Sequence, residues 1–193
     1  MKVNIAAQKE ELRAQSKAFL RSISKTDLNL QSALIADRIS AMPEWDRAKT
    51  ILGFVPGNHE PDINKLLKEA ISTGKRICLP QFNPIQTTYS AVLVSNPNTD
   101  LISGKYGVLE PKAGSEVVPF SEIDCVLVPG LAFDSTGGRL GRGGGWFDRM
   151  LAEIRGLRIG VAFSVQLVGN VPVESHDIRM DCLVTAEELI RAK

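Results

Sequence analysis

The chain has 193 residues, 44% of them hydrophobic, and its 23 basic and 22 acidic side chains leave a formal net charge of +1. That length predicts one domain over residues 1–193 with a substantial core, and so even a balance excludes an overall field for nucleic acid or a membrane surface, so any anion site has to be local. The opening residues hold no apolar targeting segment, and no apolar run nears the roughly 20 residues that span a bilayer, which points to a cytoplasmic protein.

Two helices are predicted first. Leu12, Ser16, Phe19, Leu20 and Ile23 share one face of the first, Leu30, Leu34, Ile35 and Ile39 lie in the second, and Thr26-Asp27 supplies an N-cap between them. Ile51–Val55 then reads as a buried strand, Ile63–Ser72 as a helix and Arg76–Leu79 as a second strand, which together make a βαβ unit. Residues 81–120 change character: Tyr89–Val94 is a strand, but the rest is rich in Pro, Gly, Asn and Ser and reads as a mixed loop and β insertion near the sheet edge, with Lys105–Val108 as a candidate lid. Parallel-type strands resume at Cys125–Val128, Arg158–Phe163 and Cys182–Val184. Cys78, Cys125 and Cys182 each fall in such an apolar run, without Cys-x-x-Cys spacing, and read as buried reduced thiols.

The densest chemistry lies in Gly137-Gly138-Arg139-Leu140-Gly141-Arg142-Gly143-Gly144-Gly145-Trp146-Phe147-Asp148-Arg149. It follows the strand ending at Val128 and opens a helix in which Trp146, Phe147, Met150, Leu151 and Ile154 repeat at helical spacing. Glycines admit a ligand close to the backbone, and arginine forks bind phosphate. A strand, a glycine-arginine loop and a helix therefore predict a polyphosphate site at the carboxyl end of a central strand. The loop matches neither a Walker A motif, which needs Gly-Lys followed by Ser or Thr, nor a dinucleotide fingerprint, whose last glycine is here Trp146.

Several other residues leave two readings. Lys9 and Arg13, four apart on a helix, form either a phosphate clamp or a solvated basic face. Glu60, beyond the first strand, either hydrogen-bonds an amino-heterocycle or starts the next helix. Asp177 either holds a magnesium ion together with Asp148 or serves as a turn or capping residue. His59 and His176 read as polar surface. Arg149 either reaches phosphate or fixes Asp148.

Lys9-Glu10-Glu11-Leu12-Arg13, Glu60-Pro61-Asp62, Gly74-Lys75, Leu79-Pro80, Gly107-Val108-Leu109-Glu110-Pro111, Val128-Pro129-Gly130-Leu131-Ala132-Phe133-Asp134, Arg139 to Arg149, Pro172-Val173-Glu174-Ser175-His176-Asp177 and Val184-Thr185 follow one another in an order that resembles the 5-formyltetrahydrofolate cyclo-ligase family over almost the whole chain. Two positions depart from the family's pattern: Trp146-Phe147 replaces a common Tyr-Tyr, and Ile63 replaces a threonine after the acidic pair.

The resemblance implies a single-domain three-layer α/β/α sandwich with a mostly parallel central sheet, like that of NagB, RpiA and the CoA transferases. It implies MgATP-dependent conversion of 5-formyltetrahydrofolate to 5,10-methenyltetrahydrofolate through phosphorylation of the formyl oxygen, by a monomer whose partners are ATP and a reduced folate. Carried over residue by residue, it assigns ATP to Lys9, Arg13, Arg139, Leu140, Gly141, Arg142, Gly143, Gly144, Gly145, Trp146 and Phe147. The folate falls to Val55, Glu60, Arg142, Gly143, Gly144, Gly145 and Trp146, magnesium to Asp148 and Asp177, and charge neutralisation during transfer to Arg139 and Arg142. A polyglutamate tail would need further basic groups, for which Lys105 and Lys112 are the candidates. Two alternatives stay open at this stage: another ATP-dependent ligase or kinase using the same loop, and a binding module that has lost turnover with the Trp146-Phe147 change.

Overall fold

The structure is a computed structural model and describes residues 4–83, 85, 87–96, 100–104, 109–112 and 114–192. Helices α1 (Ile5–Ser22), α2 (Lys25–Ser40) and α3 (Pro43–Arg47) precede strand β1 (Thr50–Leu52), helix α4 (Asn64–Ser72) and strand β2 (Arg76–Asn83). There follow β3 (Thr88–Val94), β4 (Leu101–Ser103), β5 (Leu109–Pro111), β6 (Val117–Val118), β7 (Cys125–Val128), β8 (Ala132–Phe133) and β9 (Arg139–Leu140). Helix α5 (Trp146–Leu151), β10 (Leu157–Val161), β11 (Cys182–Val184) and β12 (Leu189–Arg191) complete the chain.

One eight-stranded sheet in the order β12-β11-β10-β7-β1-β2-β3-β6 organises these elements. The five central strands, β11, β10, β7, β1 and β2, are parallel, and the pairings at both edges are antiparallel. Because successive strand residues face opposite ways, Ile51, Ile77, Leu127 and Val161 enter the core with α2, α3 and α4, while Leu52, Cys78, Val126 and Leu183 enter a second core with Met150 and Leu151 of α5. Helices thus cover both faces of a mostly parallel sheet, as a chain with continuous apolar strands requires. Among the described residues no helix is long and apolar enough to cross a membrane.

The chain order reverses between β1 and β7. From β1 the chain passes through α4 to β2 on one side, and from β7 through α5 to β10 on the other. The loops leaving the carboxyl ends of β1 and β7 therefore diverge and open a crevice, the usual ligand position in such sheets.

Several local expectations are corrected. Strand β1 is shorter than the predicted Ile51–Val55, because the chain leaves the sheet after the Gly53 N–H bonds the Cys78 carbonyl at 2.9 Å. Strand β2 runs on to Asn83 instead of ending at Leu79, since its second half pairs with β3. The cap of α2 is Ser24 rather than Thr26-Asp27: Ser24 Oγ accepts the Asp27 N–H at 3.1 Å and donates to Asp27 Oδ2 at 2.7 Å. Phe19 is 61% exposed, and Leu30 and Leu34 are exposed as well. The buried seam of α2 instead includes Ser32, whose hydroxyl donates to the Leu28 carbonyl at 2.6 Å and accepts the Asp62 N–H at 3.0 Å. A satisfied serine in the seam is invisible to a pattern that counts apolar residues. Helix α3, with Pro43 at its start and Trp45 buried, and strand β12 were not expected from periodicity.

All three cysteines are free and buried. Burial pushes the Cys78 thiol up to about 12 and the Cys182 thiol to about 11, and it raises Cys125 further still. These thiols are packing groups rather than nucleophiles.

Candidate active site at the carboxyl edge of the sheet

A cavity of about 900 Å³ fills the crevice. Val55 to Glu60 after β1, Pro129 to Leu131 after β7, and Trp146, Phe147 and Asp148 of α5 line it. Glu60 does not start α4, whose first residue is Asn64. Its Oε2 accepts the Gly57 N–H at 2.8 Å, closing the turn, and its Oε1 receives Arg142 Nε at 3.1 Å and Nη2 at 2.7 Å. The ion pair Glu60–Arg142 therefore spans the crevice between the two loops. Arg142 is 57% exposed, and its Nη1 makes no hydrogen bond among the described residues.

One wall of the cavity is aromatic. Trp146 meets Phe82 and Tyr89 edge to face at centroid distances of 5.4 and 5.6 Å, and Phe82 and Tyr89 are 5.3 Å apart. The Arg149 guanidinium lies 4.2 Å from the Trp146 ring and donates to the Gly144 carbonyl at 3.2 Å. Arg149 therefore fixes the tryptophan and the glycine loop, not Asp148. The part played by Phe82 and Tyr89 had no motif to announce it, because β2 and β3 bring them to Trp146 only through pairing.

A second cavity of about 200 Å³ lies between α1, the glycine loop and residues 174–177. Lys9, only 8% exposed in its side chain, donates to Glu174 Oε2 at 2.8 Å and to Asp177 Oδ2 at 2.5 Å. Arg13 Nε donates to the Gly141 carbonyl at 3.1 Å, and Nη1 to Glu10 Oε2 at 2.9 Å. Both cations thus face the site rather than forming a solvated face. Gly143 and Gly145 adopt φ of +106° and +64°, a backbone region suited to glycine, and the amides of Gly141, Gly143, Gly144 and Gly145 donate no hydrogen bond among the described residues. Leu140 has its side chain in a small core with Ala132 and Val171, so it can meet a ligand only through its backbone.

The two cavities share Arg139, Gly141, Gly145 and Asp148. Arg139, 3% exposed in its side chain, donates Nη1 to the Pro129 carbonyl at 3.3 Å and Nη2 to Asp148 Oδ1 at 2.8 Å, with its Nε buried and unpartnered among the described residues. Its guanidinium also lies 5.6 Å from the Phe147 ring. At the junction of the two cavities, Arg139 therefore keeps its Nη atoms on protein acceptors while its buried Nε has none among the described residues.

Burial opposes charge on Lys9, but the hydrogen bonds and negative charges of Asp177 and Glu174 overcome it and hold the amine above its ordinary value. Burial likewise opposes charge on Asp177, and the Lys9 hydrogen bond, the Glu174 N–H and the nearby cations hold that carboxyl below the usual range. Asp148 and Asp177 both line the smaller cavity, and each already accepts a cation at one oxygen. Among the described residues no group of three or more His, Cys, Asp or Glu side chains could hold a metal unaided. Two carboxylates fit magnesium, which takes most of its shell from water and phosphate oxygens.

Asp134, buried beneath this assembly, is the main residue that motif reading left without a role. Its Oδ1 accepts Thr136 N–H at 2.9 Å, Thr136 Oγ1 at 2.6 Å and Gly138 N–H at 3.0 Å, and its Oδ2 accepts the Val171 N–H at 2.7 Å. One carboxylate thus ties the β8–β9 hairpin, which launches the glycine loop, to the segment that carries Glu174 and Asp177. Burial works against the charge, but these hydrogen bonds hold the carboxyl below the usual range. The candidate lid Lys105–Val108 lies outside the described residues.

Residues 5–186 match the model of the 5-formyltetrahydrofolate cyclo-ligase family. The chain belongs to that family. It is 32% identical to the 5-formyltetrahydrofolate cyclo-ligase of Escherichia coli K12 over 158 residues, covering 80% of this chain and 87% of that one. The mouse cyclo-ligase is 27% identical over 195 residues, covering 93% of this chain and 94% of its own length. The solution structure of Aquifex aeolicus 5,10-methenyltetrahydrofolate synthetase superposes with a TM-score of 0.86 at 31% identity, over 96% of this chain and 93% of that one. A Mycoplasma pneumoniae synthetase shares the fold, with a TM-score of 0.75 at 20% identity over 92% of this chain and 98% of its own. The chain is therefore an enzyme of the cyclo-ligase family with that family's mostly parallel α/β fold.

Proposed function

We propose that this enzyme, acting as a monomer with residues 1–193 as one domain, closes 5-formyltetrahydrofolate to 5,10-methenyltetrahydrofolate at the expense of ATP, releasing ADP and phosphate. The observation that carries this reading is the meeting of the two cavities at Arg139, Gly141, Gly145 and Asp148. The smaller, bordered by Lys9, Arg13 and uncommitted glycine amides, suits a polyphosphate. The larger, with its aromatic wall of Trp146 and Tyr89 and the side chain of Val55, suits a pterin and its aryl substituent. The transferred phosphoryl group then sits beside the formyl oxygen at the junction.

A formamide carbonyl is a weak electrophile and its oxygen a poor leaving group. In the proposed sequence the formyl oxygen takes the terminal phosphoryl group of ATP and ADP departs. The N10 lone pair then attacks the activated formyl carbon, the C–O bond breaks with release of phosphate, and N10 loses its proton. Arg139 and Arg142 neutralise charge on the transferred group, Lys9 and Arg13 hold the remaining phosphates, and Glu60 orients Arg142 across the crevice. Asp148 and Asp177 are the residues that would hold magnesium, which supplies further neutralisation of phosphate charge when bound.

The test follows the methenyl chromophore and ADP together, with and without ATP and magnesium. Equal, ATP- and magnesium-dependent formation of both is expected. ADP without the chromophore would overturn the folate assignment, and nucleotide binding without either product would identify a module that has lost turnover.

A further inference from the structure

Helix α1 carries Lys9, Arg13, Lys17 and Arg21 at intervals of four. A step of four residues on an α-helix turns about 400°, so each cation is displaced about 40° from the last, and the row winds around the helix while rising roughly 6 Å per step. The two ends of the row consequently face different cavities. Lys9 and Arg13 border the smaller one, and Lys17 and Arg21 border the mouth of the larger one.

The two pairs also differ in their partners. Lys9 holds Glu174 and Asp177, and Arg13 holds Glu10 and the Gly141 carbonyl. Lys17 and Arg21 are exposed and make no ion pair or hydrogen bond among the described residues. The other cations bordering the larger cavity are committed, Arg139 to Asp148 and Arg142 to Glu60. Arg21 alone is accounted for as a basic residue in the last turn of a helix. Lys17, a full turn earlier, gains nothing from that end.

We propose, on the basis of the functional reading above, that Lys17 and Arg21 form a dicarboxylate subsite that takes the glutamyl end of the folate. Side chains four apart on a helix stand about 5–6 Å from one another, close to the separation of the two carboxyl groups of one glutamate. The glutamyl end is the one strongly anionic part of this substrate remote from its reacting atoms, and among the described residues Lys17 and Arg21 are the cations bordering this cavity without a carboxylate of their own. Further γ-linked glutamates would extend past this pair into solvent. Of the two lysines suggested by sequence, Lys105 lies outside the described residues, and Lys112 is exposed and is not part of the cavity lining.

The test compares 5-formyltetrahydrofolate with 5-formyltetrahydropteroate, which lacks the glutamate, on the wild-type protein and on a Lys17→Gln/Arg21→Gln double variant. Both side chains are exposed, so thermal unfolding is expected to show an intact fold. The wild type is expected to favour the glutamyl substrate about tenfold in kcat/KM, mainly through KM, as two charge-assisted contacts at a solvated rim allow, and the double variant is expected to lose that preference. A wild type without preference, or a variant that keeps it, overturns the subsite. Should the wild type convert neither compound, the functional reading fails by itself. Equilibrium binding of the same two compounds then decides the subsite: tenfold tighter binding of the glutamyl form, lost in the variant, sustains it, and equal binding overturns it.

Discussion

Arg142 and Asp134 do different jobs a few residues apart. Arg142 is largely exposed and, among the described residues, tethered only through Glu60, so Arg142→Ala is expected to lower turnover at least a hundredfold while shifting the melting temperature by no more than about 2 °C; steady-state kinetics and a thermal melt check both. Asp134 has four hydrogen-bond donors converging on a buried carboxylate. Asp134→Ala leaves buried N–H groups unmatched and is expected to cost about 3 kcal/mol in urea unfolding. The carboxyls of Asp134 and Asp177 sit below their ordinary value of 3.8 in the folded protein. Their charged forms therefore stabilise the fold above that value, and the stabilisation disappears as pH falls through the depressed values. The gap in unfolding free energy between wild type and Asp134→Asn should accordingly be widest above pH 5 and should narrow below pH 4. Lys9 behaves oppositely: its amine sits above 10.5, so its contribution is complete below that value and is lost as pH rises through the raised one.

At the scale of elements, helix ends and seams show what one-dimensional pattern can carry. The continuous apolar run that predicts buried strands at Cys125–Val128 and Cys182–Val184 is a local property, and β7 and β11 form as read. The seam of α2 is not local, because Ser32 enters it to meet Asp62, thirty residues away. Ser24→Ala removes the hydroxyl that caps α2 and is expected to cost about 1 kcal/mol, measured by urea unfolding, whereas Thr26→Ala is expected to cost less than half of that. In the glycine loop Gly145 stands at φ +64° as the first residue before α5. An alanine there adds about 1 kcal/mol of backbone strain and draws the site out of shape, so Gly145→Ala should weaken nucleotide binding, read by titration calorimetry, more than it lowers the melting temperature.

Across the whole molecule, the sheet fixes what is inert and what reacts. The three cysteines lie on central strands with their thiols pushed up by burial, so a thiol-reactive chromogenic disulfide should label none of them in the folded protein and all three together on global unfolding. Staged labelling would show that one edge of the sheet opens independently. The same sheet places the loops after β1 and β7 on either side of the reversal in strand order, and the crevice follows from that order, not from either loop. By itself the sequence determined the glycine-arginine loop, the apolar strands and the basic spacing of α1, since these are set by backbone periods and side-chain types within a few residues. Only the tertiary structure decided which carboxylate each cation holds, Lys9 with Glu174 and Asp177 at separations of 165 and 168 residues and Arg142 with Glu60 at 82. Such pairs form because the folded sheet brings remote segments together at the carboxyl ends of its central strands, where leaving a half-buried charge unmatched costs more than ordering the chain around it.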